Sequence, residues 1–381
     1  VWYDEDSKAK SKKQKRNMSF LQKKIFDVFP SSFGLDLSDL SIKVLRMERE
    51  GLIHRVNGFA SAALPIGSVI DGEILKPEIV VDVIRRLMEE PAMKKMHTRR
   101  VVCSLPETKA FLRVISLPKM EEKEVSEAIR WEIEANIPLT LDQVYYDWQI
   151  LGDTLPTEKG KMNILFVAVA RTVVDQFVEA LEAAGLDVVG LETESIAQAR
   201  SLLPEADEKK TTLTVDIGDR RTSLLVSVGN TPCFTSSVPL SSQMVTDSIA
   251  KYLRISFQEA EDIKIKQGLG SLALHGPVFD AVLPVLENIA AEIEKSTSFY
   301  LENLRYSTDI DTIVLCGGGS NMKGLLPFLS RRLGRDVVFG NPWVNVHLGN
   351  RLPPIDRNHS VQYSTAIGLS LRGIDEYENT A

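Results

Sequence analysis

From residue 33 onward the chain alternates two hydrophobic rhythms. Short runs with apolar side chains in succession or at every second position predict strands, and stretches with apolar residues three and four apart predict helices. Residues 33–47 read as a buried strand (Phe33, Leu35, Leu37), a tight turn rich in Ser and Asp, and an alternating strand ending at Met47. Residues 213–228 repeat that design, with Asp36 and Asp216 each closing the first strand. Two copies of one supersecondary unit predict two related lobes facing each other across a cleft.

The stretch between them is built differently. Residues 121–136 place Val125, Ala128, Ile129 and Ile133 on one helical face behind an acidic first turn suited to the helix dipole. Strand-like runs flank it at 111–117, 144–151 and 162–169, which predicts a compact α+β insertion. Its aromatic residues Trp131, Tyr145, Tyr146 and Trp148 are expected in its core. A helix over 173–184 ends at Gly185, and a strand over 188–191 leads into a helix from Glu194.

After the polar break at 205–210 the second copy begins. Helices are expected from Gln243, over 258–267 ending at Gly268, and over 282–304. The run 312–322 then reads as a strand followed by Gly317, Gly318, Gly319 and Ser320, leading into a helix with Leu325, Leu326, Phe328, Leu329 and Leu333. Three glycines between strand and helix let a ligand approach the backbone closely. Strands alternating with helices make the fold α/β.

Length and charge refine this picture. A chain of 381 residues with 44% hydrophobic residues exceeds what one core usually holds, which favours two lobes. The longest clean apolar run, 164–170, is far below the ~20 residues of a membrane helix. The net charge of −7 conceals a contrast: residues 1–30 carry eight Lys or Arg against four acids, so the rest of the chain is more acidic than the total implies. That balance argues against nucleic acid as a partner. Residues 1–17 read as a solvated basic leader and Met18 as a candidate start. The run Phe20, Leu21, Ile25, Val28 and Phe29 has helical spacing, and residues 18–30 are a candidate for peripheral membrane contact, with packing on the first lobe as the alternative. Three cysteines far apart (Cys103, Cys233, Cys316) and five isolated histidines offer neither a disulfide framework nor a zinc motif, which fits a reducing cytoplasm.

An Asp closing a buried strand before a Ser, Thr or Gly turn can offer hydroxyls and N–H groups to phosphate while its carboxylate holds magnesium through water. One such turn is ordinary hairpin chemistry. Two, followed by a glycine-rich turn, is the order used by the actin, Hsp70 and sugar-kinase superfamily. Over roughly residues 18–373 the chain resembles PilM, the actin-like protein of type IV pilus machines. The resemblance is carried by residues 34–44, by 128–138 with 145–151, which look like the inserted subdomain PilM shares with FtsA, by the Glu-x-x-Lys helix at 257–264, and by the closing segment 366–373.

The resemblance implies a two-lobed actin-like (ribonuclease H-like) α/β fold with an inserted FtsA-type α+β subdomain. Its parts would be a leader (1–30), a first lobe (31–108 and 173–210), the insertion (109–172), a second lobe (211–242 and 306–381) and a helical subdomain (243–305). ATP would be bound by Asp36, Ser38, Ser41, Lys43, Asp216, Gly218, Thr222, Glu261, Lys264, Gly317, Gly318, Gly319 and Ser320, with Mg2+ on Asp36 and Asp216 through water and with Glu261 and Lys264 near ribose and adenine. The implied role is a cytoplasmic scaffold at the inner membrane. It would capture the short cytoplasmic N-terminus of a PilN-like protein and relay nucleotide state toward the pilus motor ATPase. The alternatives are an active ATPase or phosphotransferase of the same superfamily and an FtsA-like division protein. Departures from the family pattern are Ser38 for a glycine, Asp219, Arg220 and Arg221 in the second turn, and Ser241 and Ser242 for a Gly-Gly pair. They leave ATP binding expected and fast hydrolysis not, and neither Glu192 nor Glu194 stands out as a general base.

Overall fold

The computed structural model describes residues 32–380 apart from 95, 153, 208, 270–275 and 305–306. The basic leader and its amphipathic run lie outside the described residues.

The first lobe opens with β1 (Phe33–Leu37), β2 (Ser41–Glu50) and β3 (Ile53–Ala63), a small hairpin of β4 (Val69–Ile70) and β5 (Glu73–Ile74), then β6 (Arg100–Leu105). Three strands, β7 (Ala110–Pro118), β8 (Val144–Leu151) and β9 (Lys161–Ala170), form the insertion, and β10 (Asp187–Thr193) returns to the first lobe. The second lobe holds β11 (Thr211–Ile217), β12 (Thr222–Val228), β13 (Thr231–Val238), β14 (Thr312–Cys316) and β15 (Val337–Phe339).

The first-lobe sheet runs β3-β2-β1-β6-β10 and the second β13-β12-β11-β14-β15. In each, an antiparallel meander of three strands is extended by two parallel ones. The repeated pattern of the sequence is thus a repeated sheet. β1 and β11 are central in their sheets, which is why both are buried along nearly their whole length, the threonines of β11 included. Pairing sets Asp36 opposite Lys43 in the first hairpin and Asp216 opposite Ser223 in the second.

The insertion is a β7-β9-β8 sheet covered by the helix Glu122–Asn136, whose fully buried Val125, Ile129 and Ile133 meet Val144, Ile164, Phe166 and Ala168. Glu121 and Glu124 close a reciprocal cap at its start. Tyr146 and Trp148 pack against this core, but Trp131 is 73% exposed, contrary to its expected burial. Two residues from both Ile129 and Ile133, it falls on the opposite helical face.

The closing helix Ser364–Thr380 also departs from expectation. Allotted to the second lobe with 306–381, it packs on β1, β2 and β6 of the first lobe and on the helix Glu194–Leu202. Its Ala366, Ile367, Leu371 and Ile374 share a cluster with Leu45, Met47 and Trp343. Glycines permit the approach: a Cβ on Gly34 would lie 2.3 Å from Ala366 O, and one on Gly368 1.8 Å from Ala197 O. The Glu194–Leu202 helix in turn joins Ala199 and Leu202 to Leu225 and Cys316 of the second sheet, so it lies between the lobes at the floor of the cleft. The helices Ser242–Leu253, Phe257–Gln267 and Pro277–Asn303 flank the second lobe. Among the described residues no helix is long and apolar enough to cross a membrane.

Candidate functional site

The two hairpin turns and the glycine turn meet at one cavity of about 550 Å³ between the lobes. In the first turn, Ser38 N–H and Oγ–H both donate to Ser41 O at 3.0 Å, and the two hydroxyls lie 3.1 Å apart. Lys43 Nζ donates to Ser41 Oγ at 2.9 Å and lies 3.8 Å from Asp36 Oδ2. Lys43 therefore faces the cleft. Asp36 is buried, and Ser104 Oγ donates to its Oδ1 at 3.1 Å.

The second turn is closed by Gly218 N–H donating to Arg221 O at 2.9 Å. Asp216, partly buried, has Gln198 Nε2 at 2.5 Å from Oδ2. Its neighbour across the parallel pair is β14, which delivers the glycine turn. Gly317 has φ +80°, and a Cβ there would fall 2.0 Å from Asp216 Oδ1. At Gly318 a Cβ would meet nothing within 4 Å, so this backbone faces open space.

The helical subdomain supplies the third wall. Glu261 and Lys264, one helical turn apart, form an ion pair at 2.8 Å. Lys264 Nζ also donates to Ser242 Oγ at 2.8 Å, and Thr246 Oγ1 donates to Glu261 Oε2 at 2.5 Å. Ser241 and Ser242 thus have specific work where a Gly-Gly pair was expected: Ser241 caps the helix Ser242–Leu253, accepting from Met244 N–H, and Ser242 anchors Lys264.

Carboxylates outnumber cations on this surface. Burial raises the Asp36 carboxyl, opposed by Lys43 and Ser104. Burial also raises Asp216 from its ordinary 3.8 to about 6; the Gln198 hydrogen bond and Lys43 oppose this, while Asp36 and Asp219 add to it. Glu194, pushed well up by burial and by the charges of Asp36, Asp216 and Glu107, lies on the same wall. Proton affinity raised at several adjacent carboxyls marks a place where positive charge is wanted. Among the described residues no three acidic, His or Cys side chains converge as a direct metal-ligand set.

Asp36, Ser38, Ser41, Lys43, Asp216, Gly218, Glu261, Lys264, Gly317, Gly318 and Gly319 all line the cavity. Thr222 and Ser320 do not. Thr222 is buried and its hydroxyl donates to Leu240 O at 2.7 Å, while Ser320 is buried with its hydroxyl on Gly317 O at 2.7 Å. Both hydroxyls are consumed by their own loops. Sequence reasoning missed Gln198, Glu107 and Thr365 as lining residues and assigned Glu194 no place there. Glu107 Oε2 accepts from Ser195 N–H at 3.3 Å and Glu194 Oε2 from Glu107 N–H at 3.4 Å, a reciprocal contact between segments far apart in sequence. Glu192, by contrast, pairs with Arg200 and Arg372.

A family model described as type IV pilus assembly protein PilM matches residues 34–374. Among solved structures, one of a PilM-PilN type IV pilus biogenesis complex superposes with a TM-score of 0.74 at 27% identity, covering 90% of this chain and 98% of that one. MreB 5 of Spiroplasma citri bound to AMPPNP superposes with a TM-score of 0.53 at 13% identity, covering 92% and 98%, a likeness of fold alone. The architecture is that of the actin-like ATPases. The cell division protein FtsA of Neisseria meningitidis serogroup B is 26% identical over 282 residues, 66% of each chain. FtsA of Pseudomonas aeruginosa is 27% identical over 210 residues, 50% of this chain and 49% of that protein. The chain spans about half to two thirds of the length of these curated relatives.

Proposed function

We propose, because this chain belongs to the type IV pilus assembly protein PilM family, that it is an ATP-binding scaffold of the pilus inner-membrane assembly complex. The cleft would read nucleotide state, and the first lobe with its insertion would hold the short cytoplasmic N-terminus of a PilN-like membrane protein. The observation that carries the nucleotide reading is the convergence of two Asp-ended hairpin turns, an open glycine turn and the Glu261–Lys264 pair on one cavity. The partner reading is supported by the likeness to a chain solved in a PilM-PilN complex.

Phosphates would lie between the two turns, near Lys43. The nucleoside would lie toward Gly317–Gly319, Glu261 and Lys264, where Gly318 leaves room for a flat ring against the backbone. Asp36 and Asp216 would suit a divalent cation held through water: burial raises the proton affinity of both, a cost that a cation would offset, and no third direct ligand stands beside them among the described residues. Bound Mg2+ would neutralise phosphate charge. Turnover is a different matter. Gln198 donates its amide to Asp216 and Thr365, and Glu194 accepts Glu107 N–H; we read both as structural partners of the cleft floor rather than as groups that activate water. We read the site as one of binding, with slow hydrolysis at most, and nucleotide as selecting one angle between the lobes.

Calorimetry with MgATP tests the site: Asp216→Ala should remove binding without loss of the folded state, and retained affinity would refute the cleft assignment. Titration of the partner's N-terminal peptide tests the scaffold role. Single-turnover hydrolysis near 1 per second or faster, within the range of ordinary enzymes, would overturn the restriction to binding.

A further inference from the structure

The second turn carries two arginines where a phosphate-binding turn would ordinarily hold small residues, and one of them reaches across the cleft. Arg221 Nη1 donates to Asp71 Oδ1 at 3.1 Å, joining the second lobe to the hairpin β4–β5 of the first. Arg221 Nε is steadied by Ser237 Oγ at 3.1 Å. Both members of the pair line the same cavity as Asp36 and Asp216.

Asp71 is held for this contact. It is the first central residue of the two-residue Asp-Gly turn that joins β4 to β5, with the φ of +49° that such a hairpin turn requires. The turn is pinned on the cleft side by its neighbours. Asp39, in the first turn, accepts the N–H of Asp71 at 2.9 Å and of Gly72 at 3.0 Å, and Thr108 Oγ1 donates to Asp71 O at 3.1 Å. The Asp71 backbone therefore moves with the first turn, and its carboxylate is presented to the second.

We propose that Asp71 and Arg221 form a strap across the cleft, and that Arg221 is the residue by which the site distinguishes a nucleoside triphosphate from a diphosphate. Asp71 carries the anion that Arg221 binds when no terminal phosphate is present. A terminal phosphate between the turns takes the guanidinium in its place, a doubly charged acceptor suited to the planar fork of Arg. The diphosphate leaves the strap closed. Partial exposure suits this exchange: the side chains are 30% and 59% exposed, and pairs so placed hold weakly enough to be traded for a better acceptor. Arg220 stands beside it on the cavity wall, and its buried Nε has no hydrogen-bond partner among the described residues. The strap thus converts a chemical difference at the end of the nucleotide into a difference in how the lobes are joined.

This inference rests on the nucleotide-binding reading, and the test separates the two. Calorimetry on the full chain with MgATP and MgADP compares wild type, Asp71→Asn and Arg221→Met. Removing the competing carboxylate in Asp71→Asn should raise ATP affinity about two- to fivefold, the scale of an exposed ion pair, with ADP affinity unchanged. Arg221→Met should bring the ratio of ATP to ADP affinity down toward one. Both nucleotides binding with a ratio that neither variant changes would overturn the strap and leave the nucleotide reading intact. Binding of neither nucleotide to wild type would overturn that reading and this inference with it.

Discussion

Asp216→Asn separates what the second turn does for the fold from what it does for a ligand. The Asp216 carboxyl titrates at about 6 in the native cleft against an ordinary 3.8, so the native state holds its proton more tightly than the unfolded chain. For an acid shifted upward, stability is fully present below about pH 4, falls as pH rises through about 6, and is lost above that. The difference in the two values corresponds to about 3 kcal/mol of charge burial at neutral pH, an upper figure because water reaches the cleft wall. Asparagine keeps an oxygen for Gln198 Nε2 and removes the ionisation. Without nucleotide, the variant should be more stable than wild type by about 1–2 kcal/mol at pH 8, with no gain at pH 4. Urea unfolding followed by circular dichroism at both pH values measures this. In MgATP the order at pH 8 should reverse, since the amide cannot hold the cation that the carboxylate attracts. Equal stability at pH 8 without nucleotide, or the same gain at pH 4, would refute the assignment of buried charge to Asp216.

Two further substitutions test the parts around it. Gly317→Ala forces a side chain onto a backbone of φ +80° and ψ 164°, a region almost reserved for glycine, at a cost of about 1–3 kcal/mol and pushes the Asp216 carboxylate aside, so nucleotide affinity should fall at least tenfold by calorimetry; Gly318→Ala, which meets nothing, should match wild type in thermal unfolding. Ile129→Ala removes a fully buried side chain from the insertion at about 2–5 kcal/mol, and should lower the unfolding temperature and weaken the partner peptide while MgATP affinity is retained.

What could be read in advance was local. β1 and β11 are legible because each places apolar residues at every second position ahead of an Asp within one hairpin, and the Glu122–Asn136 helix because its apolar positions repeat every turn. The features that escaped depend on neighbours distant in sequence. The closing helix is buried on every side over Ser364–Leu371, a pattern that does not say which lobe surrounds it, and its place on the first goes with the close approaches at Gly34 and Gly368 and the packing against Leu45 and Met47. Thr222 and Ser320 sit beside the phosphate turns, but the direction of a hydroxyl follows from which carbonyl the loop brings near, Leu240 O in one case and Gly317 O in the other. The reciprocal contact of Glu107 with the start of the Glu194–Leu202 helix, and that of Asp71 with Arg221, likewise have no local signature.

The two hairpins share a fold and divide the charges unequally. Across the first, Asp36 pairs in register with Lys43, a cation that stays within reach of the carboxylate. Across the second, the same register sets Asp216 opposite Ser223, and the nearest strong donor is the neutral Gln198. A hydrogen bond from an amide offsets part of the cost of burying a carboxylate but supplies no net charge. Burial raises the proton affinity of both carboxyls, and a cation entering between the turns would meet, on the second-lobe side, a carboxylate whose hydrogen-bond partner is neutral. Lys43 would then meet phosphate while staying within reach of Asp36 and Ser41. An ion-pairing residue at position 223 as well would give a cleft that is quieter and more stable when empty, and poorer at attracting a magnesium-bound nucleotide. The asymmetry inside the repeat is thus what turns a duplicated sheet into a site with a direction.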